Sequence, residues 1–541
     1  VWFNCGIVIF NQKKNRFMKK IRNISTILVA VASIVIFYGC KKSYLDTVPS
    51  DAVTDANLYT TTTSSYQVLD GLERLMNTTG ASYEPLGGGS RANDWGESTV
   101  RFEEDHLGND MVDVTNGFDW FIVCYNYTGL RQPTYNVAQM PFRLYYKMIN
   151  SANLLLDHVN PTVTSGPQTE IDHIRGQAYA YRAYSYFKLS VYYCKTYNYY
   201  ADGKAPGHTL DEAAKGLPIY LHGTTADTKG VGRSTMRELY AQIASDLDSA
   251  GALLNSSGLS ARSTSDISLP VYYAICAKVA MVKRDWKAAS DYADQSINSF
   301  GGRIMSPAEF KQGFNSNTNP EWMWSSTLTS SQTQALLIVN FFSFVDPASP
   351  GYASTGLITT MAANTYNIMR TINDVRKDVF LSGGAQQSKF RLADPKAWAY
   401  NNLYMRLSEV YLMKAEALAE QGDEANAIIA LNKVVQQRNI TYDYNTAGSR
   451  YITALGNGTV YFGRTTLLQE IYLQRRIELF LEGVAYSDIQ RWRSGLNRAK
   501  GVGNHPAAAG VWAIPAEDDR FLFKIPQQEM DANPALAGQQ N

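Results

Sequence analysis

Apolar residues recur at helical spacing through most of the second and last thirds of the chain. Phe142 to His158 ("FRLYYKMINSANLLLDH") and Glu170 to Tyr193 are helix candidates; in the second, Ala180, Ala183, Phe187, Val191 and Cys194 line one face at spacings of three and four. Ser234 to Leu254 forms a third, with Ser234 placed as its cap in "RSTMRE". Pro270 starts a fourth region, "PVYYAICAKVAMVKRDWKAASDYADQSI", and Tyr404 to Arg438 forms a fifth. These last two share a layout. Ala277 and Ala289 are twelve residues apart, as are Ala415 and Ala427, with breaks at Arg284-Asp285-Trp286 and Gly422-Asp423-Glu424. Small residues at that spacing let paired helices approach closely, as in tetratricopeptide-type hairpins. Two degenerate copies read as hairpins inside a larger helical domain.

The pattern breaks in two places. Gly87 to Pro141 is turn-rich and aromatic, without sustained helical period, apart from a helical segment upstream near Tyr66 to Met76. Gly301 to Trp398 reads as short strands and long irregular segments, a second lobe. A further helix, Thr466 to Gly483, precedes "YSDIQRWRSG" and a Pro/Gly-rich tail.

The first forty residues follow another logic. Lys13, Lys14, Arg16, Lys19, Lys20 and Arg22 precede the apolar run Ile27 to Tyr38. About a dozen residues fall short of the roughly twenty that a membrane-spanning helix needs. A basic flank and a short apolar core are the layout of an export signal, with Met18 placed as a natural start. Gly39-Cys40 closes the run like a bacterial lipobox, making Cys40 the expected lipidated N-terminus; Phe37 and Tyr38 depart from the usual residues.

Composition adds little. The chain has 541 residues, 45% hydrophobic and 18% charged, with formal net charge +1, so there is no electrostatic footprint for nucleic acid. Its five cysteines form no C-x-x-C pair and its six histidines show no metal-ligand spacing; no metal or cofactor is expected. No common nucleophile or phosphate-binding motif occurs, which argues against an enzyme. Thirty-five tyrosines and nine tryptophans suit helix packing, and also stacking on sugars.

Seven segments, in order, carry a family likeness: "GCKKSYLDTVPSD", "NSANLLLDHV", "RGQAYAYRAYSYFKL", "GLPIY" followed by "RSTMRELYAQIASDLDSA", "RLSEVYLMKAEALAEQGD", "EIYLQRRIELFLEGVAYSDIQRW" and "FKIPQQEMDANPALAGQQN". In them the chain resembles the SusD/RagB family of outer-membrane nutrient-binding lipoproteins from Bacteroidetes. The resemblance implies a mostly α SusD-like fold, with tetratricopeptide-like hairpins scaffolding an irregular, loop-rich lobe with short strands. Residues 1–39 would be upstream sequence and signal peptide, and 40–541 the SusD-like domain. Within it 142–300 and 399–493 would be helical scaffold, and 77–141 with 301–398 the ligand-facing regions. It also implies a lipid-anchored, cell-surface protein without enzymatic activity that binds oligosaccharides and hands them to a SusC-like TonB-dependent transporter. The same scaffold carrying peptides, a secreted helical glycosidase and a pure interaction scaffold are the alternatives.

Sugar recognition needs aromatic faces beside amides and carboxylates, on loops held by a rigid frame. Trp95, with Asn93 and Asp94, is the first choice, and Tyr83 lies in the same loop region. Tyr352, among Gly and Pro, is expected exposed. Trp120, Trp322, Trp324 and Trp286 are expected to be core, while Phe341, Phe342 and Phe344 suit either a core strand or an exposed apolar loop. Arg475, Arg476 and Glu478 read as local helix ion pairs worth a few tenths of a kcal/mol each, and Asp488 and Arg491 as ties from that helix to the fold.

Overall fold

The computed structural model describes residues 57–77, 92–114, 120–197, 214–333, 339–355, 358–372, 374–381, 386–454, 464–498, 504–506 and 511–541. The chain divides into two units, Val1–Leu58 and Tyr59–Asn541, and every element below belongs to the second. Cys40 and Tyr83 lie outside the described residues.

Helix α1 spans Thr62–Leu75, α2 Glu97–His106, and strand β1 Met111–Val114. The scaffold follows: α3 Asn136–His158, α4 Gln168–Tyr193, α5 Met236–Ser257, α6 Leu269–Lys283 and α7 Trp286–Ser299. The lobe contributes β2 Trp322–Leu328, the short helix α8 Phe341–Val345 and β3 Ile358–Met361. The chain then returns through β4 Tyr400–Arg406, α9 Leu407–Glu420, α10 Glu424–Val435, α11 Thr466–Glu478 and α12 Ala485–Trp492.

The two hairpins close by one device. Arg284 (φ +60°) and Gly422 (φ +83°) take the left-handed conformation that ends α6 and α9. The next residue, Asp285 or Asp423, caps the following helix by accepting from the amide of Ala288 or Asn426. Ala277, Ala289, Ala415 and Ala427 are all fully buried, as the spacing required. Helix α7 packs on α9, which joins the hairpins into one array, and α11 lies against α9.

The cap of α5 is Thr235 rather than Ser234. Its hydroxyl accepts from the Glu238 amide, and the Glu238 carboxylate accepts in return from the Thr235 amide at 2.8 Å. Ser234 lies one residue too early and accepts from the Leu217 amide instead. Gly251 is where α5 meets α6: a Cβ there would lie 2.2 Å from the Tyr272 hydroxyl, which donates to the Leu247 carbonyl.

Helix α2 falls in the region that lacked helical period. All ten of its residues are buried, four of them acidic, so no apolar stripe marks it in the sequence. The surroundings supply its partners. Glu97 accepts from the hydroxyls of Tyr145 (2.7 Å) and Tyr184 (2.6 Å), Asp105 accepts from the Gly483 amide, and Arg101 donates to the carbonyls of Tyr404 and Glu482.

The strands form two-stranded antiparallel pairs among the described residues, including β1 with β3 and β2 with β4. A register irregularity between Trp322 and Ser325 bends β2, and both tryptophans are buried. Phe341, Phe342 and Phe344 are core, as one expected alternative had it, but in a helix.

The reading of Arg475, Arg476 and Glu478 as local pairs is corrected. Arg475 binds Asp488, and Arg476 binds Asp110. Glu478 is fully buried and meets Arg406 at 2.7 Å, Arg438 at 2.9 Å and Arg376 at 3.1 Å. Arg406 also pairs with Glu321 (2.8 Å) and Glu482 (2.7 Å). Burial alone would raise the Glu478 carboxyl; Arg438, Arg406 and Arg376 outweigh it and hold it well below the usual range. Side chains from the lobe, β4, the end of α10 and α11 thus meet in one buried charge network.

Candidate ligand-binding face

The face grows from the turn into α2. Gly96 has φ +77°, and a Cβ there would lie 2.2 Å from the Met76 carbonyl oxygen, so only glycine fits. The turn drives Trp95 inward. Its indole N–H donates to the Ala92 carbonyl at 2.8 Å and its amide to the Thr99 hydroxyl at 2.8 Å. The ring is 3% exposed, among Phe102, Phe121, Phe341 and Phe344.

This corrects the expectation of Trp95 as a surface platform: its indole has aromatic neighbours on every packed side and supports the surface from behind. Asn93 and Asp94 are buried with it. Asn93 donates to the Trp120 carbonyl at 3.4 Å, and its own carbonyl accepts from Asn136 at 3.1 Å, so it acts as a loop tie. Burial, with Asp94 and Glu104 beside it, pushes the Glu103 carboxyl well above its ordinary range. His106 stacks on Phe121 at 5.2 Å beneath the same cluster, and burial lowers its pKa to about 4, so at neutral pH its 3.6 Å approach to Asp113 is not an ion pair.

From Trp95 a stack of rings runs outward. Trp95 lies on Phe344 (centroids 5.8 Å apart, planes at 28°), and Phe344 lies on Tyr352 (4.6 Å, 26°). Helix α8 presents Phe344 because Asn340 caps it, accepting from the Ser343 amide, while the Ser343 hydroxyl accepts from the Tyr352 amide. Tyr352 is half-buried; burial raises the pKa of its hydroxyl, and the neighbouring Trp120 side chain works against that rise. Trp120 is 37% exposed. It therefore leaves the core assigned to it, and with Tyr352 it forms the outer aromatic surface of the lobe.

Trp324 is core, donating to the Ser265 carbonyl at 2.9 Å and packed edge-on to Tyr184. Among the described residues no group of His, Cys, Asp and Glu could hold a metal ion, and no helix is long and apolar enough to cross a membrane.

Helical hairpins carrying an irregular lobe with an outward aromatic pair define an α-helical scaffold protein with a candidate binding face. Residues 384–541 match the SusD family model, and residues 91–280 match the model described as "Starch-binding associating with outer membrane". Over these two segments the chain is similar to the SusD family. Solved structures share its fold. A SusD-like carbohydrate binding protein from Bacteroides vulgatus is 24% identical, with a TM-score of 0.69 over 88% of this chain and 98% of that one. A SusD superfamily protein from Bacteroides thetaiotaomicron is also 24% identical, with TM-score 0.69 over 89% and 99%. Surface glycan-binding protein A from Bacteroides thetaiotaomicron, in complex with laminarihexaose, is 15% identical, with TM-score 0.63 over 88% and 98%. No curated protein matches the sequence.

Proposed function

We propose that this chain is a non-enzymatic oligosaccharide-capture protein of the outer membrane, with Trp120 and Tyr352 as its sugar-stacking surface. The observation that carries the reading is this pair of neighbouring rings, with Tyr352 backed by Phe344 and Trp95. A fixed aromatic face packs on the apolar side of a pyranose ring at little entropic cost. The laminarihexaose complex of a relative with the same fold supports the ligand class. Asp94 and Glu103 are buried, so neither offers an open carboxylate for glycoside hydrolysis.

The captured glycan passes to a SusC-like TonB-dependent transporter, and Cys40 carries the lipid that holds the protein at the cell surface. Calorimetry against a panel of glycans and peptides tests the ligand. Glycan binding that weakens roughly tenfold, about 1.4 kcal/mol, in Trp120→Ala or Tyr352→Ala is expected. Peptide binding without glycan binding overturns the glycan reading, and glycan hydrolysis overturns the non-enzymatic one. Mass spectrometry of the mature N-terminus tests the anchor: an intact Gly39–Cys40 bond rules it out.

A further inference from the structure

A second concave feature lies inside the scaffold, away from the Trp120–Tyr352 pair. Helices α2, α4, α6, α9, α11 and α12 wall a chamber of about 60 Å³. One water needs roughly 10–15 Å³ on that measure, so the chamber has room for several waters or for a small ion with part of its shell. Five cationic side chains line it against four carboxylates.

The carboxylates are already engaged. Asp488 accepts from Arg475 Nε at 3.0 Å and Nη2 at 3.2 Å, and from Arg491 Nε at 2.8 Å. Glu409 takes Lys278 at 2.8 Å, Glu97 takes two tyrosine hydroxyls, and Glu482 takes Arg406. One donor is left over. Arg475 is 3% exposed, and its Nη1 has no hydrogen-bond partner. The same side chain borders a smaller void of about 20 Å³ shared with Val484 and Asp488. Arg101, also on the wall, is held by two carbonyl oxygens rather than by a carboxylate.

A buried guanidinium N–H without an acceptor is costly, and a fixed anion satisfies it more strongly than a neutral acceptor does. We propose that the chamber is a binding site for a small inorganic anion of halide size, held by Arg475 Nη1.

The test uses bromide on the full protein. Crystals soaked in sodium bromide should show an anomalous peak within hydrogen-bonding distance of Arg475 Nη1. In solution, bromide or chloride should raise Tm saturably by about 2–4 °C over gluconate at matched ionic strength, and Arg475→Lys should abolish that rise. No peak, or a peak without a halide-specific Tm shift, overturns the site; the second result marks an adventitious ion only. If Arg475→Lys does not fold, the two wild-type measurements decide the matter.

Discussion

At the scale of single residues, support and contact have separated. Trp95 is buried and Trp120 is exposed, although the local sequence around each suggests the opposite. "NDWGES" is polar and glycine-rich, yet Gly96 turns the indole inward; "FDWFIVCY" is apolar, yet its indole is 37% exposed. No local pattern carries that information, because burial here is decided by Phe341 and Phe344, some 250 residues downstream. Tyr352, expected exposed because glycine and proline flank it, is half-buried because its ring stacks on Phe344. The two tryptophans should therefore behave differently in thermal unfolding. Trp95→Ala should cost about 3–5 kcal/mol, whereas Trp120→Ala should leave stability within about 0.5 kcal/mol.

At the scale of elements, the hairpins were legible and α2 was not. Ala277, Ala289, Ala415 and Ala427 announce close helix approach because only small residues allow it, and the aspartate caps fall where the sequence breaks. A leucine at position 427 would overfill the contact between α9 and α10. Ala427→Leu should lose about 1–3 kcal/mol by denaturant titration, with the mid-helix circular dichroism signal retained at low denaturant. Helix α2 gives no such notice, since periodicity reports a boundary between core and surface and this helix is buried on every side. Its partners are tyrosine hydroxyls on α3 and α4, which explains part of the tyrosine excess.

At the scale of the whole molecule, Glu478 is where distant segments are charge-matched. Replacing one member strands buried guanidiniums, so Glu478→Gln should destabilise the protein by about 3–5 kcal/mol at neutral pH. The pH dependence has a definite sign. Glu478 is held below its ordinary value, so its contribution is present above pH 4.5 and is lost as pH falls through its folded value. The gap between wild type and Glu478→Gln should thus narrow below pH 4.5. His106 adds a second window: its pKa falls from 6.5 to about 4, so its contribution is complete above pH 6.5 and is lost between there and 4. Urea titrations across that range, with His106→Gln as the control, should show the variant losing less stability than wild type.

The ring stack from Trp95 through Phe344 to Tyr352 has a consequence for how such a protein diversifies. The residues that hold the stack are not the residues at its tip. On the function proposed above, substitutions at Trp120 or Tyr352 would redraw ligand preference while the foundation keeps its stability. On that reading a lineage would try new ligands at the surface one mutation at a time, without first having to rescue the fold.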